Sequence, residues 1–502
     1  MPEGFKPERF NEVFPEQGSD LPVAPLPESR EQAPASEFEP VSEKVGGGER
    51  GDANMSGESE EAAPRALADV MPPDSVGQRL AERFNCQPTW YQTQLFASGP
   101  EALNKIVQAI KEAEREVEIE MFSWANDDAG RAVLEAVRQL KQSNQDIAIQ
   151  VNLDQLGCLY VGSFPESAWG RITLLAPKAK KFIAGVFRHG ITPRSLWRAW
   201  RARNNVSHYD RIPAKQRRKI SQLTAELFTE DELLGLNPVL RELKVILGEN
   251  LQFVSNGGID EMIHGKRIRV DEKELRGGRN IGDEYFENPE GGGWIDYTYS
   301  LEEAGVGEQA PSAEHVLALN LRNEPGPARK RDWPERKQIT EAMLELINAA
   351  QTSIKIEHAY ITSRRIRRAL QRAAESGVNV QIIRSQPERA SIEAANEESF
   401  AELGAPRWRS WFSWWKRLNK KHENIEVRLS PYQSHAKLMI VDDTYVLAGS
   451  CNMNRQSLYR HGEDATLFIL DDDEEKKPES CAPISLIREF DQRWDSCKKL
   501  DV

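Results

Sequence analysis

The sequence runs through one plan twice, and this repetition narrows the folds open to it more than any single motif does. In the first copy an amphipathic stretch, Ala102 to Val117, leads into the alternating residues Val117 to Phe122, then a helical stretch Ala129 to Leu140, then Ile147 to Val151. In the second copy Glu335 to Ala350 leads into Ile354 to Ala359, then Arg365 to Ala374, then Val378 to Ile383. Apolar residues recur at helical spacing in the helices (Val133, Leu134, Val137, Leu140) and at every second position in the strands. Each copy reads as a βαβ unit. Alternating strands and helices imply a parallel or mixed sheet covered on both faces, with functional residues at strand ends. The expected fold class is therefore α/β, with two similar lobes, each a mixed or parallel sheet flanked by helices.

Both copies deliver the same constellation. His264, Lys266 and Asp271 stand in the first, and His435, Lys437 and Asp442 in the second, at identical spacing. Residues two apart in a strand share a face, so each His and Lys project into one site. A Gly and Asn turn follows each: Gly277-Gly278-Arg279-Asn280 and Gly449-Ser450-Cys451-Asn452. Gly278, Asn280, Ser450 and Asn452 are thus candidate phosphate contacts. A phosphodiester transfer needs a nucleophile, a proton donor for the departing alcohol and cations around the non-bridging oxygens. Two His, two Lys and two Asn supply these without a metal or other cofactor.

These residues resemble the two HKD motifs of the phospholipase D superfamily, and the run GGRNIGDEYF at 277–286 resembles bacterial cardiolipin synthases. The resemblance spans about residues 95–500. It implies a two-lobed pseudo-dimer, with His264 as nucleophile through a phosphohistidine and His435 as general acid and base. It also makes Lys266 and Lys437 phosphate ligands, Asp271 and Asp442 supports of the motif strands, and Glu463 the carboxylate that orients a motif His. Asp296, after the loop Gly291–Gly293, matches a family position too.

The copies also differ. His264 to Asn280 is 16 residues, against 17 from His435 to Asn452, and the first hairpin reads Glu272-Lys273-Glu274-Leu275-Arg276, charged where the family is apolar. A shortened, polar hairpin leaves room for a shift in the turn that carries Asn280. Asn454, Gln456 and His461 depart from the family pattern after the second turn. Four histidines outside these motifs, His189, His208, His358 and His422, are expected to be surface or structural.

The net charge of −13 is uneven. Residues 1–80 hold 17 Asp or Glu against 7 Lys or Arg and are poor in aromatic and β-branched residues, a composition that cannot offset its ordering entropy. The expected organisation is a disordered tail at 1–85, a first lobe at 86–310 with a basic insert at about 155–250, and a second lobe at 311–502. The tail is a candidate site for a protein partner. The start lacks the basic and apolar pattern of a secretory signal, and no apolar run is long enough for a membrane span. Five scattered cysteines argue against a disulfide framework.

Two stretches suit an anionic lipid surface. Pro406 to Lys421 puts Trp408, Trp411 and Trp415 on one helical face with Arg and Lys on the other. In the insert, Thr192 and Pro193 open a helix carrying Trp197 and Trp200 among Arg194, Arg198 and Arg201. The expected activity is phosphatidyl transfer at the inner, cytoplasmic face of a bacterial membrane, by a peripheral enzyme acting on phospholipid. A cardiolipin synthase using phosphatidylglycerol fits this best. Alternatives are a phospholipase D hydrolase, a phosphatidylserine-synthase-like transferase, or a nuclease using the basic stretch Arg211 to Lys219; the overall negative charge argues against nucleic acid. A non-catalytic scaffold is opposed by both motifs being complete.

Overall fold

The alternating segments pair edge to edge in a single mixed sheet. The computed structural model describes residues 75–162, 178–202, 211–254, 261–304, 315–326, 332–386, 399–400, 403, 423–471 and 480–500. Among these, the first-lobe strands are β1 (Thr89–Phe96), β2 (Glu116–Met121), β3 (Ala148–Asp154), β4 (Leu251–Val254), β5 (Lys266–Val270), β6 (Lys273–Gly277) and β7 (Thr298–Glu303). The second-lobe strands are β8 (His315–Asn323), β9 (Ser353–His358), β10 (Asn379–Arg384), β11 (Ile425–Leu429), β12 (Lys437–Val441), β13 (Tyr445–Gly449) and β14 (Glu463–Ile469), with β15 (Lys498–Leu500) at the edge.

The order β4-β3-β2-β5-β6-β7-β1 in the first lobe matches β11-β10-β9-β12-β13-β14-β8 in the second, and antiparallel β1 and β8 join the halves. In each lobe the three outer strands are parallel and the rest antiparallel. The helices Gly99–Lys111 and Asp128–Ser143 cover the first lobe, and Gln338–Ala349 and Arg364–Glu375 the second. Their apolar stripes, such as Val133, Leu134, Val137 and Leu140, enter the core, as the periodicity predicts.

The expected tail boundary at 85 is corrected by a helix at Val76–Phe84. Ser75 caps it, accepting the Gln78 N–H at 3.1 Å, and Leu80, Ala81 and Phe84 enter the core that holds Ile339, Met343 and Ile347. Burying Leu80 and Phe84 contributes on the order of 1.5–3 kcal/mol each, enough to order a short helix in an otherwise polar stretch.

The missing residue of the first hairpin is absorbed in its turn. Val270 pairs with Lys273 across Asp271 and Glu272, whereas Val441 pairs with Tyr445 across Asp442, Asp443 and Thr444. Both hairpins keep five-residue strands, so Asn280 and Asn452 each stand three residues beyond their strand ends and the turn is not displaced. The charges have a separate cause. In the second lobe the helix Ala482–Ser496 places Leu486, Phe490 and Trp494 in one cluster with Leu438, Ile440, Val446 and Phe468. In the first lobe the corresponding strands carry ion pairs instead, Arg267 to Glu118 at 3.1 Å, Arg269 to Glu116 at 3.0 Å and Arg276 to Glu274 at 2.8 Å.

Asp271 and Asp442 sit in those turns at φ 52° and 55°. Asp271 accepts the N–H groups of Glu114, Arg115 and Glu116 at 2.8–3.0 Å, and Asp442 those of Gln351, Thr352 and Ser353 at 2.8–2.9 Å. Each ties its motif hairpin to the loop that starts the adjacent antiparallel strand, β2 or β9. Asp442→Ala strips three N–H groups of their acceptor and is expected to lower unfolding free energy by roughly 1–3 kcal/mol, read by denaturant titration, with catalysis by the folded fraction unchanged.

Candidate active site

Each motif enters its strand clamped to the opposite lobe. The His264 N–H donates to the Gly462 carbonyl at 2.7 Å, and the Gly462 N–H to the Met262 carbonyl at 2.8 Å. In mirror fashion the His435 N–H donates to the Ile295 carbonyl at 2.7 Å, and the Ile295 N–H to the Gln433 carbonyl at 2.9 Å. The residue before each His is held from its own lobe. Ile263 N–H donates to Asp154 at 2.9 Å and Ser434 N–H to the Ser385 hydroxyl at 2.8 Å. Asp154 is buried, and burial pushes its carboxyl up to about 7 against the N–H groups of Gly157, Ile263 and Leu156.

The clamps bring a carboxylate from one lobe onto the imidazole of the other. His264 Nδ1 lies 2.9 Å from Glu463 Oε2, and His435 Nδ1 lies 2.7 Å from Asp296 Oδ2. A carboxylate on Nδ1 fixes the ring proton there and turns the Nε2 lone pair away from it, the tautomer a nucleophile or proton carrier needs. Burial works against charge on Glu463, but the hydrogen bond from His264 and the nearby Lys266 ammonium hold its carboxyl below the usual range. Burial likewise opposes charge on Asp296, which the Lys437 ammonium and His435 keep below the usual carboxylate range.

Burial pushes the imidazole of His264 down to about 3 and that of His435 to about 4, so both are neutral at neutral pH. The lysines converge: burial, then the Lys437 charge, lowers Lys266 to about 7. Lys266 Nζ donates to the His264 carbonyl at 2.7 Å, while Lys437 donates to the His435 carbonyl and lies 2.6 and 3.1 Å from the two ring nitrogens of His435. Aromatic rings wall the site, Phe122 edge-on to His264 at 4.8 Å and Tyr285 edge-on to His435 at 5.2 Å, with Trp294 tilted against His435 at 5.7 Å. Such a dry, cationic pocket suits an anion that brings its own charge.

The structure thus brings together His264, Lys266, His435, Lys437 and Glu463. Asn280 and Asn452 are buried nearby, each with a side-chain oxygen that makes no hydrogen bond; Asn280 Nδ2 donates to the Tyr285 hydroxyl at 2.7 Å. The four remaining candidates have contacts of their own. Asp271 and Asp442 lie at the far ends of their strands, about 16 Å of extended chain from the lysines. The Gly278 N–H is used on the Tyr297 carbonyl at 3.1 Å, and a side chain there would collide with Asp296. Ser450 donates its hydroxyl to Glu463 at 2.5 Å and its N–H to the Asp464 carbonyl at 2.9 Å, so both of its donors are used within the protein.

Trp197 is exposed on the helix Pro193–Ala202, and Thr192 accepts the Ser195 N–H at 3.3 Å. The Trp200 side chain, and Trp408, Trp411 and Trp415 with the whole 406–421 stretch, lie outside the described residues. Sequence reasoning assigned no role to His461, whose ring is 6.0 Å from His264 and whose Nδ1 is 3.9 Å from Glu463 Oε1. It also assigned none to His358, which is buried opposite Lys437 with an Nδ1 that makes no hydrogen bond. Asp296 was legible as a family position; its partner, 139 residues away, was not.

Residues 343–494 match the family described as cardiolipin synthase, PLD-like domain. This segment is a phospholipase D-like domain. The fold of the chain is similar to that of phosphatidylserine synthase from Haemophilus influenzae Rd KW20, at 14% identity and a TM-score of 0.50, covering 84% of this chain and 91% of that one. Also similar are Nuc, a phospholipase D family member from Salmonella typhimurium (22% identity, TM-score 0.25, 37% of this chain and 99% of that one), and NucT from Helicobacter pylori (20%, 0.26, 36% and 99%). No curated protein sequence matches the chain.

Asp296→Asn keeps the shape but removes the charge that fixes His435, and turnover is expected to fall about 10²-fold with KM little changed, read by steady-state kinetics. His358 supplies a test by pH. Burial, then Lys437, pushes its imidazole down to about 3, so the unfolded chain takes up this proton first and folded stability is lost as pH falls below about 6.5. His358→Met, the residue type of Met121 in the first lobe, is expected to recover on the order of 1–2 kcal/mol at pH 5 and nothing at pH 8, read by thermal melts.

Proposed function

We propose that the chain is a phosphatidyl transferase working through a phosphohistidine on His264. The observation that carries this reading is the exchanged pair of carboxylates, which gives two buried imidazoles one tautomer each beside two lysines. A bound phosphodiester brings a negative charge between imidazoles that burial keeps neutral, and that charge raises their proton affinity. His264 Nε2 attacks phosphorus, the bond from phosphorus to the headgroup oxygen breaks, and protonated His435 gives that oxygen its proton. An acceptor alcohol then loses its proton to His435 and attacks, and the P–N bond breaks.

The assignment of roles rests on Lys437. An ammonium against both ring nitrogens makes His435 the poorer nucleophile and, once protonated, the stronger acid, whereas Lys266 meets His264 only through its carbonyl among the contacts described. The family description of residues 343–494 names a cardiolipin synthase, which supports cardiolipin as the product; the proposed donor and acceptor are both phosphatidylglycerol. If water is the acceptor, the same steps make a phospholipase D.

Purified protein incubated with phosphatidylglycerol vesicles and a chelator is expected to release glycerol and form cardiolipin, with acid-labile label on the protein from phosphorus-labelled substrate. His264→Asn is expected to abolish both label and product. Label that persists in that variant moves the nucleophile elsewhere, and no reaction of any phosphatidylglycerol removes the proposal.

A further inference from the structure

Among the described residues only six large hydrophobic side chains stand well exposed, Phe182, Ile183, Phe187, Trp197, Val245 and Tyr432. Four of them fall on two successive helices of the first-lobe insert, Ala179–His189 and Pro193–Ala202. The first helix is held by its opposite side. Gly185 faces Leu223, where a side chain would collide, and His189 and Arg188 pair with Glu226 at 2.9 and 2.7 Å. Ile183 (56% exposed) and Phe187 (80% exposed) are one turn apart and so form one outward ridge, with Phe182 at its margin.

The ridge is set in positive charge. Lys180 and Lys181 are exposed on the same helix, and on the next helix Trp197 carries the Arg201 guanidinium 5.1 Å above its ring with Arg194 exposed one turn before. Residues 178–219 hold thirteen Lys or Arg against one Asp, a net charge of +12 within a chain of net charge −13. An isolated apolar ridge suits many occupants, and an isolated basic patch suits any polyanion. Side chains of Ile and Phe projecting from a field of Lys and Arg suit an anionic lipid surface, where the rings and alkyl groups enter the acyl boundary and the cations meet headgroup phosphates. A nucleic acid meets the charge but offers Ile183 and Phe187 no apolar medium.

The insert is also tied to the site. It leaves β3 directly after Asp154, which holds the residue before His264, and Gly157 at its start lies against Phe122, the ring edge-on to His264. We infer that the helices Ala179–His189 and Pro193–Ala202 form a docking surface for an anionic phospholipid bilayer, with Ile183, Phe187 and Trp197 inserted and Lys180, Lys181 and Arg194 at the headgroups. This rests on the proposed phosphatidyl transfer for its purpose, but the binding itself does not require turnover.

Two arms separate the claims. In the first, the full chain carrying His264→Asn, which is chemically silent, is sedimented with vesicles of phosphatidylcholine alone or mixed with phosphatidylglycerol. Binding is expected only to the mixture, weakening with salt, and the added pair Ile183→Ser and Phe187→Ser is expected to cost about tenfold or more in affinity with circular dichroism and melting temperature unchanged. In a companion variant, Lys180→Ser with Lys181→Ser is expected to flatten the salt dependence. In the second arm, the otherwise wild-type Ile183 and Phe187 variant is assayed on short-chain monomeric phosphatidylglycerol and is expected to match the wild-type rate. Equal binding to neutral vesicles, unchanged binding by the paired variant, a change in self-association alone, or retention of DNA without vesicles overturns the docking surface. Wild-type inactivity on the monomeric lipid with vesicle binding intact overturns the transferase reading and leaves the surface standing.

Discussion

The exchange of carboxylates between lobes is the interaction on which the rest of the site depends. Glu463 at the start of β14 belongs to His264, and Asp296 just before β7 belongs to His435. A buried carboxylate without a partner carries a desolvation cost of several kcal/mol, and so does a buried imidazole asked to hold a proton. Each lobe therefore places in its neighbour the group that makes its neighbour's histidine tolerable. Neither half holds a complete site alone, and the main-chain clamps at Gly462 and Ile295 keep the two halves in register.

Around this centre the lobes have diverged where the chemistry allows. The outer sheet face of the second lobe is apolar beneath the helix Ala482–Ser496, while the first lobe carries rows of Arg and Glu on the matching strands. The hairpins differ by one residue and the difference ends inside the turn, because the strand register and the Gly and Asn that follow are what position Asn280 and Asn452. His358 stands where the first lobe has Met121, and Ser385 does with a hydroxyl what Asp154 does with a carboxyl. Such exchanges are open because the backbone N–H before each motif needs an acceptor but not a particular one.

Much of this was legible in the chain before any fold was known. The duplicated strand and helix pattern set the class, and the spacing of His264 with Lys266 and of His435 with Lys437 set the candidate chemistry, since a period of two puts both side chains on one face. Local periodicity also placed three of the covering helices closely, while the stretch read from Ala102 to Val117 ends as a helix at Lys111. Sequence alone misplaced what depends on partners distant in the chain. The segment 76–84 looked like tail because its composition is polar, yet Leu80 and Phe84 find a core made by Ile339 and Met343. Gly278 and Ser450 looked like phosphate donors because turns of that composition are, yet their donors serve a carbonyl and a carboxylate. The union of Asp296 with His435, the burial of His358 and the outward ridge of Ile183 and Phe187 were decided only by tertiary structure, because burial and pairing are properties of what surrounds a side chain and not of its neighbours in sequence.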